Sequence, residues 1–136
     1  MQHWQTDWQE FVNLMAHLYA SGSLASEVSD KYRGERVCWR GTVTEVALAA
    51  KFDAPGIVMV MPARPVPIPG ARKFVGNHLF LPIRSRKANV AEGDVIAFDA
   101  NVRRDSILGP IVFSEDYRQH TVFLQTSLDE VVLRLE

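Results

Sequence analysis

The hydrophobic period changes once along the chain, at Gly34, and that change limits the fold more than any other feature. Before it, Trp4, Trp8, Phe11, Met15 and Leu18 follow one another at spacings of four, three, four and three, which places them on one face of a helix. Thr6 and Gln9 have the spacing at which two side chains satisfy free first-turn amides, and residues 21–23, Ser-Gly-Ser, stop the helix. A short second helix is predicted from Leu24 to Tyr32, with Ser23 as its cap and Gly34 just past its end. After Gly34 the period is two: Val37, Trp39, Gly41 and Val43 alternate with Arg36, Cys38, Arg40, Thr42 and Thr44. A helical start followed by a β domain is the expected organisation.

The β region can be divided further. Gly41 in mid-strand marks a bulge or a sharp bend. A second strand is predicted over residues 57–61. Residues 62–73 hold Pro62, Pro65, Pro67 and Pro69, which lack the amide donor of a central strand, so an exposed, stiff loop is expected. The third strand is read as residues 74–83, the fourth as Ile96, Phe98, Ala100 and Val102 alternating with polar or small neighbours after a Gly93-Asp94 turn. Residues 111–113 and 121–124 are both strand-like, and one of them is expected to supply a fifth strand. From Ser127 the tail reads equally as a capped helix or a strand.

A chain of 136 residues, 47% hydrophobic and 23% charged, is the size of one domain with its own core. The single cysteine, Cys38, excludes an internal disulfide and a thiolate zinc cluster, and makes a reducing cytoplasm the expected compartment. No run reaches the roughly 18 apolar residues of a membrane helix. The four histidines show no metal-ligand spacing, no phosphate-cradling glycine loop or nucleophile elbow is present, and Cys38 lacks a context that lowers a thiol pKa. The chain therefore reads as a binding domain without cofactor, metal or catalytic set.

The formal net charge of −1 conceals a division. Residues 1–32 carry one base and four acids, residues 33–104 twelve and six, and residues 105–136 two and six. The centre is thus +6 between ends of −3 and −4, and no acid occurs between Asp53 and Glu92. A positive groove interleaved with aromatic rings is the footprint of single-stranded nucleic-acid binding.

The order of helix, glycine-bent strand, two further strands, connection, Gly-Asp turn and fourth strand resembles an OB-fold, a five-stranded Greek-key barrel. Within it, Ala25, Tyr32, Gly34, Val37, Gly41 and Val43 of the stretch ASEVSDKYRGERVCWRGTVTEV, with the later GDVIAFDANV, resemble small bacterial anticodon-binding-like OB domains. The proline-rich second loop and the last ~30 residues depart from that pattern. The resemblance implies a mainly β, OB-like barrel over residues 34–125, preceded by a helical extension at 1–33 and followed by a tail at 126–136. It also implies that the loops and the outer face of strands two and three bind the ligand. On that basis Arg40, Lys51, Arg72, Lys73, Arg103 and Arg104 are the candidate phosphate contacts, and Phe52, Phe74 or Phe80 the candidate stacking faces. Phe74 and Phe80 differ by an even number, so one regular strand would put both on the same side, core or surface. The alternative is a protein-binding or homodimeric module that uses the strip from Pro65 to Pro69 or the aromatic helix bearing Trp4, Trp8 and Phe11, although capping the end of its own barrel is the first expectation for that helix.

Overall fold

The computed structural model describes residues 1–47, 56–83, 90–105 and 109–134, and over them the protein is mainly β with a helical N-terminus. Helices α1 (His3–Thr6), α2 (Trp8–Ala20) and α3 (Ala25–Tyr32) come first. Strands β1 (Arg36–Ala47), β2 (Gly56–Val60), β3 (Val66–Ile68), β4 (Arg72–Val75), β5 (His78–Pro82), β6 (Val95–Val102), β7 (Ile111–Asp116), β8 (Thr121–Thr126) and β9 (Leu128–Arg134) follow. They form an antiparallel five-stranded sheet in the order β5-β2-β1-β6-β9 and a four-stranded sheet in the order β3-β4-β8-β7, where β4 and β8 run parallel. The two edges of the larger sheet, β5 and β9, lie against each other without backbone pairing among the described residues. No described helix is long and apolar enough to cross a membrane.

β1 is the hub of the larger sheet. Its first half pairs with β6 and its second half with β2, and both registers meet at Thr42, opposite Val95 on one side and Val60 on the other. Gly41 sits at this changeover because the two sides close in: a Cβ there would stand 2.6 Å from Met61 Sδ and 3.0 Å from the Val60 carbonyl. The expected irregularity is present two residues later, as a register shift between Val43 and Glu45.

Five expectations are corrected. The aromatic stripe is not one helix: the chain breaks at Asp7, whose carboxylate accepts from the Glu10 amide and caps α2, while Thr6 turns its hydroxyl back to the His3 carbonyl. Ser23 does not cap α3; its N-cap position is Leu24 and carries no side-chain bond. Residues 74–83 are not one strand, because the chain turns at Gly76 and Asn77 and passes from the smaller sheet to the larger. Gly76 fits this corner since a Cβ would approach Val12 to 3.0 Å and Leu124 to 3.2 Å. Finally, neither 111–113 nor 121–124 supplies the fifth strand of the larger sheet; both join the smaller one, and β9, from the segment expected to be a tail, takes the place beside β6. The proline segment contributes β3, which pairs on one side only, where a missing amide donor does no harm.

One hydrophobic cluster joins helices and both sheets. The helical extension packs on the sheet through its apolar stripe, as expected of a helix that covers its own β domain: Trp8 and Phe11 pack on Trp39 of β1 with ring centroids 4.7 and 5.0 Å apart, and Trp39 packs on Phe98 of β6. Trp8 Nε1 donates to the Gly76 carbonyl at the corner (2.6 Å) and Trp39 Nε1 to the Trp4 carbonyl (3.0 Å), so the rings are both packed and hydrogen-bonded. This stripe is therefore spent within the chain and does not offer a dimer surface. Polar helix side chains also cover sheet edges. Ser29 Oγ donates to the Ile111 carbonyl and accepts from its amide, and Gln9 exchanges the same two bonds with Arg64 beside β3.

Candidate nucleic-acid interface

Alternation along the strands decides which candidates face outward. In β4 and β8, Phe74, Val122 and Leu124 are buried, so Phe74 presents no ring face to a ligand. Its centroid lies 5.8 Å from that of Phe113 and 6.1 Å from that of Tyr19, inside the core. Phe74 is thus corrected from stacking candidate to core residue. In β5 it is Leu79 and Leu81 that point inward, leaving Phe80 on the exterior. The even spacing of the two phenylalanines fails to align them because the corner at Gly76 and Asn77 interrupts the alternation.

Phe80 has a prepared seat. A Cβ at Gly56, across from Pro82 on β2, would fall 2.2 Å from Phe80 Cζ and 2.4 Å from its Cε2. The ring occupies the space where a side chain at position 56 would be, and covers the buried glycine. Gly56 has no left-handed φ, so close approach, of the ring and of the Leu81 carbonyl at 2.7 Å, calls for glycine there. On the same exterior, Val60 and Val95 flank Thr42, and Arg40 stands one alternation further along β1, exposed, opposite Ala97. His78 is level with Val60.

The other basic candidates do not gather round this face. Arg72 turns toward the smaller sheet's inner side: its guanidinium lies 5.5 Å over the Tyr19 ring, Nη1 donates to Tyr19 Oη (3.1 Å) and Nε to the Pro69 carbonyl (3.3 Å). Tyr19 and Tyr117 both donate to Glu115, which these bonds hold below the usual carboxylate range, while burial and then Glu115 push the Tyr19 phenol up. Arg103 is paired with Asp105 at 3.2 Å. Arg104, beside the start of β1, lays its guanidinium against Gly34, where a Cβ would be 2.4 Å from its Nε; its carbonyl accepts from Arg33, which pairs with Asp30. Lys73 is exposed on the exterior of β4, between Pro67 and Thr121. Lys51 and Phe52 lie outside the described residues. The acidic ends of the chain thus meet the basic centre at its margins, through Asp30, Asp105 and Glu115.

Sequence reasoning missed a charged cluster on the exterior of the larger sheet. Asp99 of β6 is only 8% exposed, although it points away from the core. Arg134 of β9 reaches its Oδ2 through Nη2 (2.6 Å) and Nε (3.0 Å), and Arg36 of β1 approaches the same oxygen at 3.7 Å. Its Oδ1 is buried without a hydrogen-bond partner, and Cys38 of β1 lies across from Asp99 in register. The Cys38 thiol and then the arginines hold Asp99 below the usual carboxylate range against the cost of burial. Burial first, then Asp99, pushes the Cys38 thiol up, which suppresses its nucleophilic form. The alternation of β6 marks position 99 as outward facing, but no local signal announces a partner 35 residues away. Among the described residues no group of three or more metal-ligating side chains converges.

Comparison with known proteins adds no relative: no family model matches the chain, no curated protein matches its sequence, and no solved structure matches it.

Proposed function

We propose that the protein is a non-catalytic binding domain whose five-stranded sheet is an OB-like barrel and whose exterior takes single-stranded nucleic acid. The strand order β5-β2-β1-β6-β9, the sharing of β1 between the two halves and the meeting of β5 with β9 support the barrel reading. The observation that carries the ligand reading is Phe80: a phenylalanine on the exterior, seated over Gly56, with Arg40 of β1 on the same face and Glu45 of β1 in its own row across Val58. A base stacked on such a ring contributes ~1–3 kcal/mol, and every base has a face to stack.

Fluorescence anisotropy with labelled oligothymidylate and oligouridylate across a salt series tests this. Affinity should fall with log salt by about 0.7 per phosphate neutralised. Phe80→Ala should weaken binding about tenfold with the salt slope unchanged, and Arg40→Gln should reduce the slope. Absence of binding by the wild-type protein at low salt overturns the reading. A protein-assembly role is the second reading, and rests on Val95 and Val60, 57% and 38% exposed on this same face. A concentration-dependent mass in light scattering, abolished by Val95→Lys, in a protein that binds no oligonucleotide would establish it.

A further inference from the structure

The two sheets end in four outer strands, and three of these are covered. β5 and β9 lie against each other, and β3 carries Pro67 and lies against α2, with Gln9 holding both backbone groups of Arg64 beside it. β7 is covered only at its start. Ile111 spends its amide and carbonyl on Ser29 Oγ, so the backbone groups facing away from β8 belong to the odd positions of this strand; in keeping with that, the carbonyl of Pro110 accepts from Ser127 on the β8 side. The next odd positions are Phe113 and Glu115. Their amides and carbonyls have no partner among the described residues, which leaves two donors and two acceptors on an open edge.

Charged side chains usually blunt such an edge, but those of β7 are already engaged. Glu115 accepts from the Tyr19 and Tyr117 hydroxyls, and Asp116 Oδ1 from the amides of Arg118 (3.0 Å) and Gln119 (3.2 Å). Apolar surface collects beside the same edge. Tyr117 is 75% exposed and Leu24 62%, and Leu24 shares with Phe113, Tyr19, Pro69 and Arg72 the lining of an open cavity of about 420 Å³ on the helix side of β7.

We propose that β7 pairs antiparallel with β7 of a second copy about a two-fold axis at Ser114, joining the two four-stranded sheets into one of eight strands. In this register Phe113 of each copy stands opposite Glu115 of the other, and four hydrogen bonds satisfy every open group. A second copy fits where a longer extended segment gains nothing, because Ser29 covers the edge at Ile111 and the strand ends at Asp116. No acid meets an acid, since Glu115 faces Phe113 and Asp116 faces Val112 across the axis. Ser114, level with Phe123 of β8 on the exterior, faces its own copy, and its small side chain admits the ~4.5 Å between Cα atoms of a non-hydrogen-bonded pair. Tyr117 follows Glu115 on the helix side, since its hydroxyl reaches that carboxylate, so pairing carries it toward the Leu24 and Phe113 cavity of the other copy. The inference is independent of what the larger sheet binds.

Disulfide trapping tests the register. Cys38 is the chain's one cysteine, so in a Cys38→Ser background a single new thiol reports on its own neighbours. With copper phenanthroline, Ser114→Cys should give a covalent dimer because the pair falls within the ~4.4–6.8 Å between Cα atoms that a disulfide spans. Val112→Cys, about 13 Å from its own copy in this register, should not. In light scattering the wild-type mass should rise with concentration from one chain toward two. Glu115→Pro removes an outward amide and no bond to β8, so it should stay at the mass of one chain, whereas Glu115→Gln, which keeps the amide, should dimerise like wild type. If Glu115→Pro fails to fold, the trapping pair decides alone. Three outcomes overturn the proposal: a monomer at every concentration, equal trapping at 112 and 114, and a dimer that Val95→Lys abolishes but Glu115→Pro leaves intact.

Discussion

Two sets of aromatic residues in this protein obey opposite rules. Inside, Trp4, Trp8, Phe11, Trp39 and Phe98 form one ring cluster in which tryptophan N–H groups donate to buried carbonyls. Outside, Phe80 and Phe123 are half-exposed on two sheets, and Phe80 rests on a glycine. The inner set holds α1 and α2 to β1 and β6 of the larger sheet and, through Trp8, to the corner at Gly76. Residue type is shared, so position alone separates a ring in the core from one on the exterior.

That contrast can be broken experimentally. The largest effect is expected for Phe11→Ala, which empties a fully buried site and should cost about 3–5 kcal/mol in urea or thermal unfolding; Phe123→Ala in the same assay should cost far less. A loss at Phe123 as large as at Phe11 would mean that the outer set is structural too. Next, Trp8→Phe leaves the Gly76 carbonyl without its donor and should destabilise by about 1–3 kcal/mol. A smaller effect is expected at Gly56. Gly56→Val displaces the Phe80 ring and also crowds the Leu81 carbonyl, 2.7 Å from a Cβ there, so it should weaken oligonucleotide binding in the wild-type background and weaken it less in a Phe80→Ala background. Equal weakening in both backgrounds would show that position 56 acts on something other than the ring.

The smallest effects are electrostatic. Asp99 titrates below its ordinary value in the folded protein, so its contribution is present at pH above about 3.9 and is lost as pH falls through the lower, folded-state pKa. The stability gap between wild type and Asp99→Asn, measured by urea unfolding, should therefore be widest near neutral pH and close in acid. Asp129 is the opposite case: burial, then Glu130 and Asp105, push it up, so its ionised form is disfavoured in the fold. Asp129→Asn should raise the midpoint slightly at neutral pH, an advantage that shrinks as pH drops through the raised pKa.

Much of the element pattern was legible locally. The alternation over β6, the glycine at the β1 changeover and the apolar stripe of the first helices each express a preference that a few neighbouring residues suffice to state. The corner at Gly76 was not, since Phe74 to Pro82 keeps strand-like residues throughout and nothing local says that two sheets divide it. For the same reason Phe74 and Phe80 were assigned one face. The candidate site fared unevenly: Phe80 and Arg40 share an exterior, whereas Arg72 is held by the Tyr19 hydroxyl and the Pro69 carbonyl and Arg103 by Asp105, and Phe123 went unnoticed because one phenylalanine in an apolar strand carries no mark of its orientation.

By itself the sequence determined where helix ends and strand begins, the exclusion of a disulfide within these 136 residues, and a basic centre between acidic ends, because period, cysteine count and charge are properties of the chain alone. Tertiary structure decided which strands share a sheet, which charges are already paired and which rings remain outside. Those depend on contacts between residues far apart in the chain, such as Asp99 with Arg134 and Trp8 with Gly76, whose free energy exists only once the two sheets have closed on the helices.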